Sequence, residues 1–255
     1  MPFPDPPTPA SLMLTKLDYD TSHSPARSPL PLAEKTAPIT GSSRSIGAAI
    51  PVRPAAEGAN VVIDYANGAE AADEVVAATK SKGTGAVKPI QADVSSVAGT
   101  KLLVEKALEA FHSIDILVLN TAIMNLDLLE NIDEADYSRH FDTNVKGSLF
   151  LTQVASPCLR AGRYRANTSR VLSKDLSKRQ ISANTISPGP VDTPTFRNGK
   201  TEQQVNLFAS VHPSGRTGRP EDISHGIGFL AGPNSVWVSS QNIRVNRVSR
   251  FHRHR

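Results

Sequence analysis

Two stretches of this 255-residue chain hold residues spaced for chemistry. The first is TGSSRSIG, Thr40 to Gly47. A glycine-bearing turn that leads from a strand into a helix can hold a pyrophosphate through backbone N–H groups and the helix N-terminus. Roughly 20 residues on, DYAN (Asp64 to Asn67) closes an apolar strand, where a ribose would be read. Arg44 supplies a fixed charge suited to a 2′-phosphate, and Asn67 can donate to one. Asp64, if it points at the ribose, favours a nucleotide without that phosphate. A helix cap beside an exposed arginine is the plain alternative for the whole turn. The second stretch is GRYRANTSRVL, residues 162–172, where Tyr164 has Thr168 rather than a lysine four places later.

The elements that must position these residues alternate between strand and helix from about Thr36. Apolar, β-branched runs predict strands at Asn60–Tyr65, Ala86–Ala92, Ile114–Leu119, Ile181–Ser187 and Asn242–Val245. Helical spacing predicts helices at Ala69–Lys82, from a Ser95 or Ser96 cap to Phe111, at Ala135–Ala155, near Thr168–Lys178 and at Glu221–Ala231. This alternation implies a single α/β domain: a doubly wound, Rossmann-like parallel sheet with helices on both faces. Further marks fall at its strand ends, namely Asp93-Val94, Asn120-Thr121-Ala122 and the run from Pro188 to Pro194, with Asn144 to Gly147 in the long helix. Each has a bland reading, as a cap, a turn or a hydrogen-bonded Asn. Their shared edge is the one where open α/β sheets bind ligands. One strand is missing from the pattern. SPCLRAGRYRAN has no apolar run, and too few residues separate Arg163 from Ser187 for strand, helix and strand.

Composition narrows the class further. The formal charge is +4. Arg247, Arg250, Arg253 and Arg255 lie in an acid-free tail, 247–255, and removing their four charges leaves 4 − 4 = 0 for the rest. The tail reads as a solvated end rather than a nucleic-acid or membrane anchor. Residues 1–34 are rich in Pro and Ser and read as a disordered arm, with the folded domain at 35–246. Cys158 is the only cysteine, so no internal disulfide forms, which fits a reducing compartment. No leader, transit peptide or spanning run is evident, and the expectation is a cytoplasmic protein. No pair of histidines has metal-ligand spacing, so no metal site is expected.

Taken together, TGSSR-x-IG, Asp93-Val94, Asn144-Val145-Lys146-Gly147, SPGPVDTP and GRPEDI resemble the short-chain dehydrogenase/reductase family, nearest to its ketoreductases. The resemblance runs from about Leu32 to Val245 with a break near residue 163. It implies that Gly41, Ser43, Arg44 and Ile46 hold the pyrophosphate and 2′-phosphate of NADP. It places Tyr65, Ala66 and Asn67 around the adenosine phosphate, Asp93 and Val94 at adenine, Asn120 and Ala122 at ribose, and Val191 and Thr193 at the nicotinamide amide. Asn144 matches the family's proton-relay asparagine, and residues 195–215 match its substrate lid. The implied activity is NADP-dependent reduction of a ketone, or oxidation of a secondary alcohol, on a small-molecule carbonyl partner. The implied assembly is a homodimer or homotetramer.

The departures from the family pattern carry equal weight. Ser45 stands where the family has a glycine, and a Cβ there crowds the approach to a pyrophosphate. Pro51 and Pro54 fall inside the helix that should follow, and Pro38 falls in the central first strand. Asn246-Arg247 replace the closing glycines. In the family the fifth strand ends in a catalytic serine, and the next helix carries Tyr-x-x-x-Lys. Neither is found here. Tyr164 is either a remnant of that tyrosine or an unrelated residue, and its distance of seven residues from Val171 favours the second. Three readings therefore stand: an active ketoreductase, a nucleotide-binding or interaction protein that transfers no hydride, and a splice form or faulty gene model lacking the catalytic segment.

Overall fold

The computed structural model describes residues 30–125, 127–160, 165–166 and 175–247. The element order is β1 (Thr36–Ile39), α1 (Ser45–Ala49), α2 (Val52–Ala56), β2 (Asn60–Tyr65), α3 (Ala69–Lys80), β3 (Val87–Gln91), α4 (Val97–Phe111) and β4 (Leu117–Val118). There follow α5 (Glu134–Phe141), a π-helical segment (Asp142–Gly147), α6 (Ser148–Ala155), β5 (Arg165–Ala166) and β6 (Thr185–Pro188). The chain continues through α7 (Pro194–Arg197), α8 (Glu202–Ser210), α9 (Pro220–Ala231) and β7 (Asn242–Val245). Five strands form one parallel sheet in the order β3-β2-β1-β4-β5, and β6 and β7 pair in parallel as a separate two-stranded sheet.

The strand period of two sorts the sheet's side chains onto two cores. Ala37, Ile39, Val61, Ile63, Ile116 and Val118 pack on one face, against α1, α2, α3 and α9 through Ile50, Ala55, Val75 and Ile227. Val62, Ile90, Leu117 and Leu119 pack on the other, against α4 and α6 through Leu103, Ala107, Leu151 and Ala155. This is the doubly wound architecture that the alternation of elements implies. Ser96 caps α4 by accepting the Gly99 N–H at 3.0 Å.

Three places depart from the sequence-based expectation. The first is the stretch expected to lack a strand: Arg165–Ala166 pairs there in parallel with Leu117–Val118. The strand position is thus held by a two-residue stub, and the sheet is interrupted between β5 and β6. Eighteen residues, 167–184, join those two strands. Arg179, near the end of this crossover, donates to the carbonyls of Ser156 and Leu159 at 2.6 and 2.9 Å, tying it to the turn after α6.

The second departure is β4, expected over Ile114–Leu119 and reduced to Leu117–Val118. Pro38 is the physical cause. Thr40 N–H donates to the Val118 carbonyl at 3.0 Å, so in the same ladder position 38 would donate to Ile116. Proline has no N–H to give. Only Ile39 and Val118 remain paired in register between β1 and β4.

The third is the helix after the first turn, which the prolines divide. Backbone angles stay right-handed through Ile50 and Pro51, yet the chain reads as two five-residue helices. Each proline withholds an N–H from the ladder, which in a helix interior costs roughly 3 kcal/mol. Both rings are buried, so replacing them also loses apolar contact worth about 0.8 kcal/mol per methylene. The backbone term is the larger. The double variant P51A/P54A should therefore melt a few degrees higher than the parent, as read by circular dichroism. An unchanged or lower melting point would show that the divided helix is relaxed.

Candidate functional site

The site is built where β1, β2 and β4 end. Thr40 closes β1, and its hydroxyl accepts the N–H groups of Asn120 and Thr121 at 2.9 and 3.0 Å. Asn120 answers with its side-chain amide, donating to the carbonyls of Thr40 and Gly41 at 3.0 and 3.1 Å. Four hydrogen bonds thus join the turn after β1 to the end of β4, where the backbone ladder is short. Gly41 takes a left-handed φ of 58°, and a Cβ there would lie 2.8 Å from the Thr121 hydroxyl. At Gly47 a Cβ would lie 2.1 Å from the Gly41 carbonyl oxygen, so only glycine lets α1 seat against its own turn.

Asp64 fastens the same turn from β2. Its carboxylate accepts the Gly41 N–H at 3.1 Å, while its backbone carbonyl accepts the Ser42 N–H at 2.9 Å. The side chain is fully buried, so it faces the turn and not a ribose. This removes the sequence argument that Asp64 selects against a 2′-phosphate. Burial pushes its pKa up to about 7, the Gly41 N–H opposes that rise, and nearby Asp93 adds to it. An aspartate inside an otherwise apolar strand, VVIDY, is itself a signal for such a buried anchor. Thr40, Asp64 and Gly47 were not singled out from the sequence as site residues.

The remaining expected residues fall along this edge. Ser43 is buried, and Arg44 caps α1 with its guanidinium exposed and in no ion pair among the described residues. Ile46 packs on the first core. Tyr65 is half-buried at the end of β2, and Asn67 is exposed. Asp93 turns its carboxylate back onto the Ser95 N–H and hydroxyl at 3.0 and 2.7 Å, as a cap would. Val94 is buried, and its carbonyl seats Gly147. Ala122 is exposed after β4. Asn144 lies in the π-helical segment and grips the Ile123 backbone with both ends of its amide, each at 2.9 Å. Val191 is buried and bridges to Gly218, and Thr193 caps α7 by accepting the Phe196 N–H at 3.1 Å. Tyr164 lies outside the described residues. In sequence it precedes β5, whereas the site gathers where strands end. No group of three metal-ligating side chains occurs among the described residues.

The short chain dehydrogenase profile matches residues 35–167, and the enoyl-(acyl carrier protein) reductase profile matches 164–247. The chain belongs to the short-chain dehydrogenase/reductase family. An uncharacterized oxidoreductase of Methylorubrum extorquens is 35% identical over 243 aligned positions, covering 84% of this chain and 97% of that protein. A probable tetrahydroxynaphthalene reductase of Zymoseptoria tritici is 30% identical, covering 83% of this chain and 93% of that one. The solved structure of a metagenomic blue fluorescent protein in complex with NADPH superposes with a TM-score of 0.78 at 28% identity, covering 85% and 98% of the two chains.

The alignment to the Methylorubrum relative also measures what this family member lacks. Eighty-four per cent of 255 residues is about 214, so about 29 of the 243 aligned positions face no residue of this chain. The two family profiles meet at 164–167, on β5. A short crossover there agrees with a lost segment.

Two consequences are measurable. The folded chain holds the Asp64 proton up to about pH 7, whereas an unfolded aspartate releases it near 3.8. Between those values the folded state binds more protons, so this group's contribution to stability falls as pH rises. Asp64→Asn keeps an acceptor for Gly41 and cannot ionise. Its stability should match the parent near pH 4 and exceed it at pH 8, by up to roughly 4 kcal/mol, in urea melts across that range. A difference independent of pH would refute a buried ionisation. Ser45, at a left-handed φ of 54°, holds a glycine's backbone with its hydroxyl buried and unpartnered. Such strain costs on the order of 1–3 kcal/mol, so Ser45→Gly should raise the melting temperature, and Ser45→Ala should not.

Proposed function

We propose that this chain is an NADP(H)-binding member of the ketoreductase branch of its family, with the nucleotide half built and the proton-donating segment cut short. It would bind NADPH and turn it over slowly or not at all. The observation that carries this reading is the contrast between the fastened turn at Thr40–Gly47 and the eighteen-residue crossover from β5 to β6.

The residues fit a dinucleotide phosphate on physical grounds. The first turn of α1 has no side-chain cap, which leaves backbone donors for an anion. Arg44 is exposed beside it, and Asp64 is folded inward, so no carboxylate of β2 opposes a 2′-phosphate. Arg44 and Asn67 would hold that phosphate, with Gly41, Ser43 and Ile46 around the pyrophosphate and Tyr65 beside the adenosine. Asp93 and Val94 would flank adenine, Asn120 and Ala122 the ribose, and Val191 and Thr193 the nicotinamide amide. Bound NADPH supplies a hydride. The carbonyl oxygen that receives it needs a proton, and general acid catalysis of this kind is worth about 10²- to 10⁴-fold. Asn144 holds the Ile123 backbone at this edge, but the lysine toward which its relay would lead has no counterpart in the sequence after β5. Thr168 and Ser169 follow β5 directly and stand nearest to the family's serine position.

We place the protein in the cytoplasm as a homo-oligomer. No helix among the described residues is long and apolar enough to cross a membrane. Tyr137, Phe141, Val145 and Leu149 lie exposed along α5, the π-helical segment and α6, a strip that suits contact with another copy.

Titration calorimetry should show NADPH binding at least tenfold more tightly than NADH, and Arg44→Ala should remove the difference. NADPH oxidation with small ketones and quinones should stay at background. It should appear in a chain carrying the family's Tyr-x-x-x-Lys segment after β5. Equal affinities indifferent to Arg44 would sink the cofactor assignment. Robust turnover by the unmodified chain, lost in Tyr164→Phe, would make Tyr164 the acid and overturn the rest.

A further inference from the structure

A cleft of about 230 Å³ opens between the ends of β6 and β7 and the segment 212–218. It lies at the carboxyl edge of the strands, where this architecture takes its ligands. Pro190, Val191, Ile223 and Val245 give it apolar walls. It is smaller than the roughly 300–1,000 Å³ of drug-sized sites, which suits a ligand of a few carbons.

Most of its polar groups are already engaged. His212 Nδ1 accepts the Ser214 N–H at 3.2 Å, so Nε2 carries the proton and donates to the Asn246 carbonyl at 2.9 Å. Arg216 makes two bonds to the Asp222 carboxylate, at 2.7 and 3.1 Å, and Asp222 also accepts the Arg219 N–H. Two groups are left over. The Ser214 hydroxyl is buried without a partner, a state that costs about 1–3 kcal/mol unless something accepts from it. The Arg247 guanidinium lines the cleft and makes no ion pair among the described residues. Since Arg216 and Asp222 cancel, the uncompensated charge at this cleft is positive. Arg247 also holds a left-handed φ of 39°, a backbone that arginine rarely adopts.

We infer that this cleft binds a short oxo acid, with its carboxylate on Arg247, an acceptor oxygen on the Ser214 hydroxyl and its carbon chain against Pro190, Val191 and Val245. The acid would be the carbonyl compound of the reaction proposed above, and to that extent the inference deepens that reading. Its binding needs neither NADPH nor turnover, so the two can fail separately.

The test is calorimetric titration of the full chain, without nucleotide, using acetoacetate, the neutral ketone 2-butanone and inorganic phosphate. Acetoacetate should bind at least tenfold more tightly than 2-butanone, and more tightly than phosphate. Arg247→Asn tolerates the left-handed backbone and removes the charge, and it should weaken acetoacetate by about tenfold while leaving 2-butanone unchanged. Arg247→Lys should restore part of the loss. Ser214→Leu should fill the cleft and abolish binding, with NADPH affinity serving as the check that the variant is folded. Equal affinity for acetoacetate and 2-butanone would overturn the inference, as would acetoacetate binding unmoved by both substitutions. Phosphate binding as tightly as acetoacetate, with the same dependence on Arg247, would replace the oxo-acid assignment with a simple anion site.

Discussion

The site depends on the hydroxyl of Thr40. Proline at position 38 takes a rung out of the ladder between the two central strands, and only Ile39 and Val118 stay in register. Thr40 and Asn120 replace the lost rung with side-chain bonds two residues further along, at the edge that the nucleotide would meet. A net hydrogen bond is worth about 0.5–1.5 kcal/mol, so four of them outweigh one missing backbone bond. The repair has a functional by-product. It holds the Gly41 carbonyl on Asn120 and the Gly41 N–H on Asp64, which fixes the peptide orientation of a turn that must present donors to an anion.

That turn carries its strain locally. Ser45 sits in a left-handed conformation, Pro51 divides the following helix, and Asp64 is buried with one oxygen unpartnered. Each feature opposes the fold by a kcal/mol or more, against a total stability of about 5–15 kcal/mol for a domain. Local choices that disagree with the global structure narrow the gap to competing states. The two buried cores are continuous across the sheet and offset these losses, because each face keeps its full set of Val, Ile and Leu.

Much of this was legible in the residues. The period of two in NVVIDY and the spacing in Ala69–Lys80 needed only local rules, and both elements match to within two residues. The Ser96 cap and the β7 range were equally local. What escaped was tertiary. The shortening of β4 comes from a proline in a different strand. The direction of Asp64 depends on a turn 23 residues away, so its sequence position alone suggested a ribose contact that the fold does not make. The stub at Arg165–Ala166 has no strand-forming composition at all. It exists because Leu117 and Val118 offer an open edge, and pairing overrides propensity there.

The division between what is built and what is missing follows from the architecture. The elements from β1 to β4 form a contiguous unit whose core and hydrogen bonds close on themselves, and every proposed contact to the adenosine half lies within it. The proton donor of such a fold belongs to the later crossover, which shares few atoms with that unit. Shortening the crossover therefore interrupts the sheet between β5 and β6 without touching Thr40, Asp64 or Asn120. Arg179 reduces the damage by tying the remaining crossover to the carbonyls of Ser156 and Leu159. Function resides in sites set on a fold, so one site can survive the loss of another when no shared residue joins them. Val191 stands between the two. It belongs to the later half, yet its backbone bridges to Gly218 and its side chain packs on the first core. That packing keeps the nicotinamide side of the edge in place even where the chemistry beside it is gone.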